Sequence, residues 1–343
     1  MKIFVTGVEG YIGALLAPML EERGHQVVGT DTGYYRDGWL YSDRNLKTFP
    51  PFINKDLRRI TAADLKGFDA VVHLAELSND PLGQNKPEIT FQINHQGSVN
   101  LAKHAKAAGV PRFVYTSSCS VYGVGSGDSL TEEAPVNPQT AYAHCKVNVE
   151  RDVGALADDK FSPVFLRNAT AYGPSPRMRF DIVLNNLSGF AKTTGVIAMT
   201  SDGTPWRPLV HVLDICKAIV CSVESPREPV HNQIFNVGHS ADNYRVREIA
   251  EIVGGVFTGC KVSFGAPSPD NRSYRVSFDK ISTRLPGFKC EWTAEKGARQ
   301  LKEIYDRIAM DTAMFEFRPF TRLKQLKYLI ETNQVDGEFY WRV

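Results

Sequence analysis

The chain is poor in the features that mark several functional classes. It has no CxxC spacing; its six cysteines, at 119, 145, 216, 221, 260 and 290, are scattered. That argues against a zinc site or a disulfide framework and predicts a reducing, cytoplasmic setting. Formal net charge is only +2 and no Lys/Arg run stands out, so a nucleic-acid partner is not expected. No apolar run approaches the roughly 18–20 residues of a membrane span, so no membrane partner is expected either. The N-terminus enters a β-rich run directly, which predicts no signal peptide. The eight histidines do not share helical i, i+4 spacing with an intervening acid, so no metal site is expected. His73 and His211 fall inside apolar strand-like runs and read as core residues. Repeats and low-complexity segments are likewise missing. What remains is the composition of an ordinary globular protein, 43% hydrophobic and 23% charged. Its 343 residues suffice for one large or two modest domains.

The most informative segment is the first 31 residues. Lys2–Thr6 (KIFVT) is β-rich and breaks into Gly7-Val8-Glu9-Gly10-Tyr11-Ile12-Gly13. An apolar helix-like stretch runs to Arg23, with Gly24 as a stop, and a second β-rich run, 26–30, ends at Asp31. Strand, glycine turn, helix, strand and acid is the order of a dinucleotide-binding βαβ unit. Glycines let the backbone approach a pyrophosphate, whose charge suits a helix N-terminus. A carboxylate at the tip of the second strand accepts hydrogen bonds from ribose hydroxyls and repels a 2′-phosphate. Asp31 therefore predicts NAD rather than NADP.

Beyond Asp31, an aromatic and polar segment, 33–51, reads as a loop. Residues 70–74 (AVVHL), 112–117 (RFVYTS) and 163–166 read as buried parallel strands, with helices predicted over 87–109 and 142–156. Strands alternating with helices predict a doubly wound parallel sheet, a Rossmann α/β fold over 1–170. Later segments near 208–240 are expected to interleave with that sheet. From 171 to 314 prolines punctuate a mixed pattern, including Gln233–Val237 and a helix at 246–253, which predicts a smaller mixed α/β substrate domain. The last stretch, 315–343, sets Leu323, Leu326, Leu329 and Ile330 at helical spacing and ends near Phe339-Tyr340-Trp341. Its apolar face is expected to pack on its own chain.

Two further motifs carry chemistry. Tyr142 and Lys146, at i and i+4, share one helix face. A free tyrosine, with a pKa of about 10, is a poor base at neutral pH. A neighbouring ammonium favours its phenolate, which can then remove a proton from a hydroxyl as hydride leaves the carbon. Thr116-Ser117-Ser118-Cys119-Ser120-Val121-Tyr122-Gly123 directly follows a strand, and ligands of open α/β sheets bind at strand carboxyl ends. A hydroxyl there can hold the reacting oxygen.

With these elements in order, the chain resembles the extended short-chain dehydrogenase/reductases, in particular the NAD-dependent nucleotide-sugar epimerase/dehydratase family, over residues 1–305. The glycine turn looks like that family's GxxGxxG. Asp56-Leu57 resembles its adenine-contacting pair, and His73-Leu74-Ala75 its HLAA segment beside the cofactor. Asn94-His-Gln-Gly97-Ser-Val-Asn-Leu101 is similar to its NxxGxxNL helix. Residues 166–174 (LRNATAYGP) resemble LRYFNVYGP, and residues 206–214 resemble RDFVHVDD. Asn236-Val-Gly238 and Asp270-Asn-Arg272 complete the series.

The resemblance implies NAD held by Gly7, Gly10, Tyr11, Ile12, Gly13, Asp31, Asp56, Leu57, Leu74, Ala75, Asn94, Ser117, Tyr142, Lys146 and Asn168. It implies catalysis by Ser118, Tyr142 and Lys146. A nucleotide-sugar would contact Glu76, Ser118, Cys119, Ser120, Thr170, Arg207 and Arg272, the arginines on its diphosphate. A cytoplasmic homodimer through the helices 87–109 and 142–156 is also implied.

The departures choose among reactions. Where 4,6-dehydratases carry an Asp-Glu pair, this chain has Cys119 and Ser120, which disfavours dehydration. Thr170 replaces the usual asparagine, and Glu76 replaces a small apolar residue. The expectation is a nucleotide-sugar epimerase passing through a transient 4-keto sugar. A 4-ketoreductase or 4-dehydrogenase is the alternative; a 3,5-epimerase or a non-catalytic NAD-binding protein also remains open.

Overall fold

A computed structural model describes residues 1–42, 50–78, 86–125, 129–267 and 273–342. Seven strands make the main sheet: β1 (Lys2–Thr6), β2 (Gln26–Asp31), β3 (Phe52–Asn54), β4 (Ala70–His73), β5 (Arg112–Ser118), β7 (Ser162–Asn168) and β11 (Gln233–Val237). Their spatial order is β11-β7-β5-β4-β1-β2-β3, and every neighbouring pair is parallel. The near-continuous apolar runs of β1, β4, β5 and β7 follow from burial on both faces. Ile3 and Val5 of β1 join one core with Leu16, Leu20, Ile215 and Ile219 from the helices Gly13–Glu22 and Val212–Glu224. Phe4, between them, points into the other core with Val99, Leu101, Val149 and Val153 from the helices Ser98–Ala107 and Ala141–Gly154. Alternate residues serving opposite faces is the period-2 signature of a strand.

From β1 the chain builds outward to β2 and β3, then returns to the other side for β4 and beyond. This reversal opens a crevice beyond the carboxyl ends of β1 and β4, the position at which doubly wound sheets bind ligands. A third core gathers Tyr172, Phe180, Leu187, Ile249, Val253 and Leu301 beneath the helices Val183–Thr194, Val246–Val256 and Ala294–Arg307. It is bordered by a three-stranded sheet of β8 (Thr170–Tyr172), β10 (Trp206–His211) and β12 (Asn243–Arg245). Four short strands remain: β6 (Ser129–Leu130) pairs with β14 (Arg275–Val276), and β9 (Val196–Ala198) with β13 (Lys261–Ser263).

Two segments differ in detail from the sequence reading. The helix expected over 87–109 is not uniform. Pro87–Thr90 passes into a π-helical stretch, Phe91–Gly97, before Ser98–Ala107 resumes α geometry. Asn94 lies in that stretch with both amide arms on the backbone of Leu77, accepting from its N–H at 2.8 Å and donating to its carbonyl at 3.0 Å. The widened turn brings the helix onto the loop after β4. The loop expected over 33–51 is described only at 33–42 and 50–51, where it forms turns.

The C-terminal helix Arg322–Glu331 lays Leu326 and Leu329 against Tyr34, Leu77, Ile89 and Ile93, with Val335 and Phe339 beyond. The Gln325 amide donates to the Tyr34 carbonyl at 2.8 Å, and the Trp341 indole to the Thr32 carbonyl at 2.6 Å. The tail is thus fastened to the loop after β2. Leu326 is fully buried, so Leu326→Ala is expected to cost about 2–5 kcal/mol of stability. Urea unfolding of the two proteins side by side measures it.

Candidate functional site

A cavity of about 740 Å³ occupies the crevice. Its floor is the glycine turn. Gly7 has φ +72°, and a Cβ there would meet the Ala75 nitrogen at 2.9 Å; a Cβ on Gly13 would lie 2.3 Å from the Gly7 carbonyl oxygen. These two positions accept no side chain, so the bare backbone faces the cavity at the start of a helix. Gly10, Tyr11 and Ile12 line it as well. The Tyr11 hydroxyl donates to the Gly173 carbonyl at 2.6 Å and ties the turn to the substrate side.

Asp31 stands at the tip of β2 and lines the cavity. Its carboxylate accepts from the Glu9 N–H at 3.1 Å and the Gly33 N–H at 2.9 Å, and burial raises its pKa. Lone pairs remain for ligand hydroxyls. Asp56 caps the short turn Leu57–Arg59 and pairs with Arg58 at 2.8 Å, which presents Leu57 to the cavity. Leu74 and Ala75 are held by the Thr6 hydroxyl, which accepts from their N–H groups at 3.1 and 3.2 Å.

The opposite wall belongs to β5, β7 and the helix Ala141–Gly154. Thr140 caps that helix by accepting from the Ala143 N–H at 3.2 Å, which places Tyr142 in the first turn with Lys146 one turn on. The Lys146 ammonium lies 5.2 Å from the centre of the Tyr142 ring and donates to the Thr116 carbonyl at 2.5 Å. Ser118 accepts from the Ser120 N–H at 3.1 Å, which leaves its own proton to donate. Asn168 ends β7; its side-chain oxygen is buried without a partner among the described residues, as is the Ser120 hydroxyl. Both residues line the cavity, as do Thr170 and Arg207. Backbone without side chains, an acid at the β2 tip and orphaned polar atoms on the far wall fit a dinucleotide with a polar ligand beside its far end.

Several expectations change. Asn94 does not line the cavity, because its amide is committed to Leu77. Cys119, expected on the substrate, is buried in the sheet core and donates its S–H to the Arg167 carbonyl at 3.1 Å. Burial pushes its thiol far above the usual range, and pushes the Cys145 thiol up to about 12, so neither is a ready acid/base partner. Ser117 lines the cavity, yet its hydroxyl is turned inward to donate to Glu150 at 2.5 Å. Glu76 also lines the cavity, but its carboxylate is folded onto Lys146, 2.6 Å away, and accepts from the Tyr115 hydroxyl at 2.5 Å. Arg272 lies outside the described residues. His73 is a core residue, bonded to Thr6 and Ser98 at 2.7 Å each, and burial lowers its pKa to about 3.

Sequence reasoning passed over two cavity arginines. Arg179, paired with Asp181 at 2.9 Å, follows the YGP segment. Arg322, stacked 3.9 Å from the Tyr35 ring centre, comes from the C-terminal helix. The two cations so close to YGP, Arg177 and Arg179, were a readable signal; Arg322 had none.

Known proteins resemble this chain in sequence and fold. The model of the NAD dependent epimerase/dehydratase family matches residues 3–238. The chain is 29% identical over 317 residues to the UDP-glucose 4-epimerase of Corynebacterium glutamicum, covering 86% of this chain and 91% of that one. It is 31% identical over 270 residues to the UDP-glucose 4-epimerase of Mycolicibacterium smegmatis, with coverage of 74% and 82%. The solved structure of MoeE5 in complex with UDP-glucuronic acid and NAD superposes with a TM-score of 0.77 at 26% identity, covering 90% of this chain and 99% of that chain.

Gly13→Ala places a methyl carbon inside the contact distance of the Gly7 carbonyl. It is expected to weaken NAD binding by about tenfold or more, or about 1.4 kcal/mol. Calorimetric titration with NAD, on protein whose circular dichroism matches the parent, checks this.

Proposed function

Because the chain belongs to the NAD dependent epimerase/dehydratase family, we propose that it is a nucleotide-sugar 4-epimerase working through a transient 4-keto sugar. It is an enzyme and its cofactor is NAD. The observation that carries the reading is one shared cavity: Tyr142 and Lys146 on one helix face, Ser118 at the end of β5, and the glycine turn opposite. When bound, NAD supplies a hydride acceptor that becomes the donor for the return step. Everything else falls to the chain's own side chains.

Tyr142, as phenolate, takes the proton of the sugar's C4 hydroxyl and later returns it to the same oxygen. Lys146 holds the phenolate charge. Ser118 donates its free proton to the reacting oxygen in both its alcohol and ketone forms. Ser120, whose hydroxyl has no partner among the described residues, and Thr170 offer contacts to the sugar. Arg207 and Arg179 supply planar forks for a diphosphate, and Arg272 joins them by resemblance alone. Cys119 and Ser120 stand where a dehydratase needs carboxylic acids, and Cys119 is turned into the core with a raised pKa. The same burial argues against a thiol-based 3,5-epimerisation. Homology supports the same activity, since both relatives described above are UDP-glucose 4-epimerases. We further read the protein as a cytoplasmic homodimer of carbohydrate biosynthesis, paired through the helices at 87–109 and 142–156, on the strength of the family resemblance.

Incubation with UDP-glucose, and then with other UDP- and GDP-sugars, is expected to give the C4 epimer with no net change in absorbance at 340 nm. Tyr142→Phe is expected to lower kcat by about 10²–10⁴-fold while NAD stays bound. Accumulating NADH with no epimer would overturn the proposal in favour of a net dehydrogenase or ketoreductase.

A further inference from the structure

Glu76 is a carboxylate that the resemblance did not call for, and the structure gives it a definite partner. Its side chain is 3% exposed, and that of Lys146 is 4% exposed. The carboxylate reaches the ammonium at 2.6 Å and is braced by the Tyr115 hydroxyl at 2.5 Å. The same ammonium lies 4.6 Å from the Tyr115 ring centre and 5.2 Å from that of Tyr142. Lys146 therefore stands between two groups that compete for its charge.

From this geometry we infer that Glu76 is a positioning residue that acts through Lys146: it neutralises the ammonium and so keeps Tyr142 protonated until further positive charge enters the cleft. The inference rests on the reading of Tyr142 as the base. In the absence of Glu76, the positive charge on Lys146 would be available in full to the phenolate. With Glu76 present, Lys146 and the carboxylate form a net-neutral pair, and the pull on the Tyr142 proton weakens.

The surrounding charges do not substitute for Glu76. On the β4 side His73 faces Lys146, but burial keeps it neutral. On the catalytic helix Cys145 stays a thiol. On β5, burial, reinforced by Glu76, keeps Tyr115 un-ionised. From the helix Ser98–Ala107, Ser98 adds no charge; its hydroxyl donates to the Asn94 carbonyl at 2.6 Å. Arg179 also lies within electrostatic reach of Tyr142, but Asp181 pairs with it at 2.9 Å. Burial lowers the pKa of Lys146, but the charge of Glu76, that of Tyr142 and the hydrogen bond from Glu76 outweigh it and leave that pKa raised. Burial raises the pKa of Glu76 itself, against the pull of Lys146 and the Tyr115 hydroxyl. The direct contact between the two charges holds the pair ionised.

The sign of the effect follows. A base must be deprotonated to act, so turnover rises with pH through the Tyr142 ionisation. Removing the negative charge moves that ionisation, and the acid limb of the activity profile, to lower pH.

The test is a ¹³Cζ-tyrosine NMR titration of the NAD-free protein, with the Tyr142→Phe spectrum assigning the signal. Glu76→Gln is nearly isosteric and is expected to bring the Tyr142 midpoint down by about one pH unit or more. The acid limb of the kcat profile should move with it. A midpoint within a few tenths of a unit of the parent overturns the inference, as does a Lys146 that loses its proton in place of Tyr142. Should Glu76→Gln not fold, Glu76→Ala carries the same readout. The titration uses no sugar nucleotide. A protein that epimerises nothing still answers it, and an unmoved Tyr142 in an active epimerase overturns only the role given to Glu76.

Discussion

The buried ion pair between Arg167 and Glu150 holds the reactive wall of the crevice together. Arg167 comes from β7 and Glu150 from the helix Ala141–Gly154, with 2.7 Å between them and both side chains almost wholly enclosed. Glu150 lies one turn beyond Lys146, so this contact fixes the helix that presents Tyr142. The carboxylate also receives the Ser117 hydroxyl from β5, and the guanidinium donates to the Tyr122 hydroxyl at 2.9 Å. Tyr122 passes the chain of bonds to Asn236 on β11 at 2.8 Å. Three neighbouring strands, the serine loop and the helix that carries Tyr142 are thereby set in one register. A buried pair of this kind adds little net stability, but loss of one partner costs about 3–5 kcal/mol. Its effect here is geometric: Ser118 and Tyr142 reach the same cavity because their supports cannot slide.

The two ends of the cavity are built on different principles. At the nucleotide end the chain offers backbone and empty space, since Gly7 and Gly13 admit no side chain. At the reactive end it offers charge, placed in pairs. Lys146 has Glu76 and Arg179 has Asp181, while Arg167 and Glu150 pair outside the cavity lining. Pairing keeps each buried ion satisfied. A ligand that brings its own charges then rebalances groups already in place.

Much of this was legible in the sequence because both faces of the sheet are covered. Runs such as AVVH and RFVYTS are apolar throughout, and the predicted 112–117 differs from the observed Arg112–Ser118 by one residue. The glycine spacing, Asp31 and the Tyr142/Lys146 pair were readable because their chemistry depends on local order. What escaped depended on distant contacts. Cys119 reads as part of a polar loop, but the 3₁₀ turn capped by Ser118 sets successive side chains about 120° apart, and Cys119, with Val121 and Tyr122, is turned into the core while Ser120 is not. The π-helical stretch at Asn94 answers to the backbone of Leu77, 17 positions away. The orientation of Glu76 is set by Lys146 on another element. Arg322 reaches the cleft from a helix whose apolar spacing signalled only packing.

The fastening of the tail has a consequence in time. Tyr34, at the nucleotide end of the cavity, is packed by Leu326, Leu329 and Phe339, and the indole of Trp341 bonds to Thr32 across 309 positions of chain. A ribosome releases residues in order, so the βαβ unit emerges and can form long before its covering exists. During synthesis the nucleotide-binding half stands with one wall missing and apolar surface uncovered. Contacts of such long sequence separation are the slow ones to form. Closure of the cofactor site is therefore among the last steps of folding, and a chain interrupted before residue 322 would display the glycine turn and Asp31 without the side chains that shelter them.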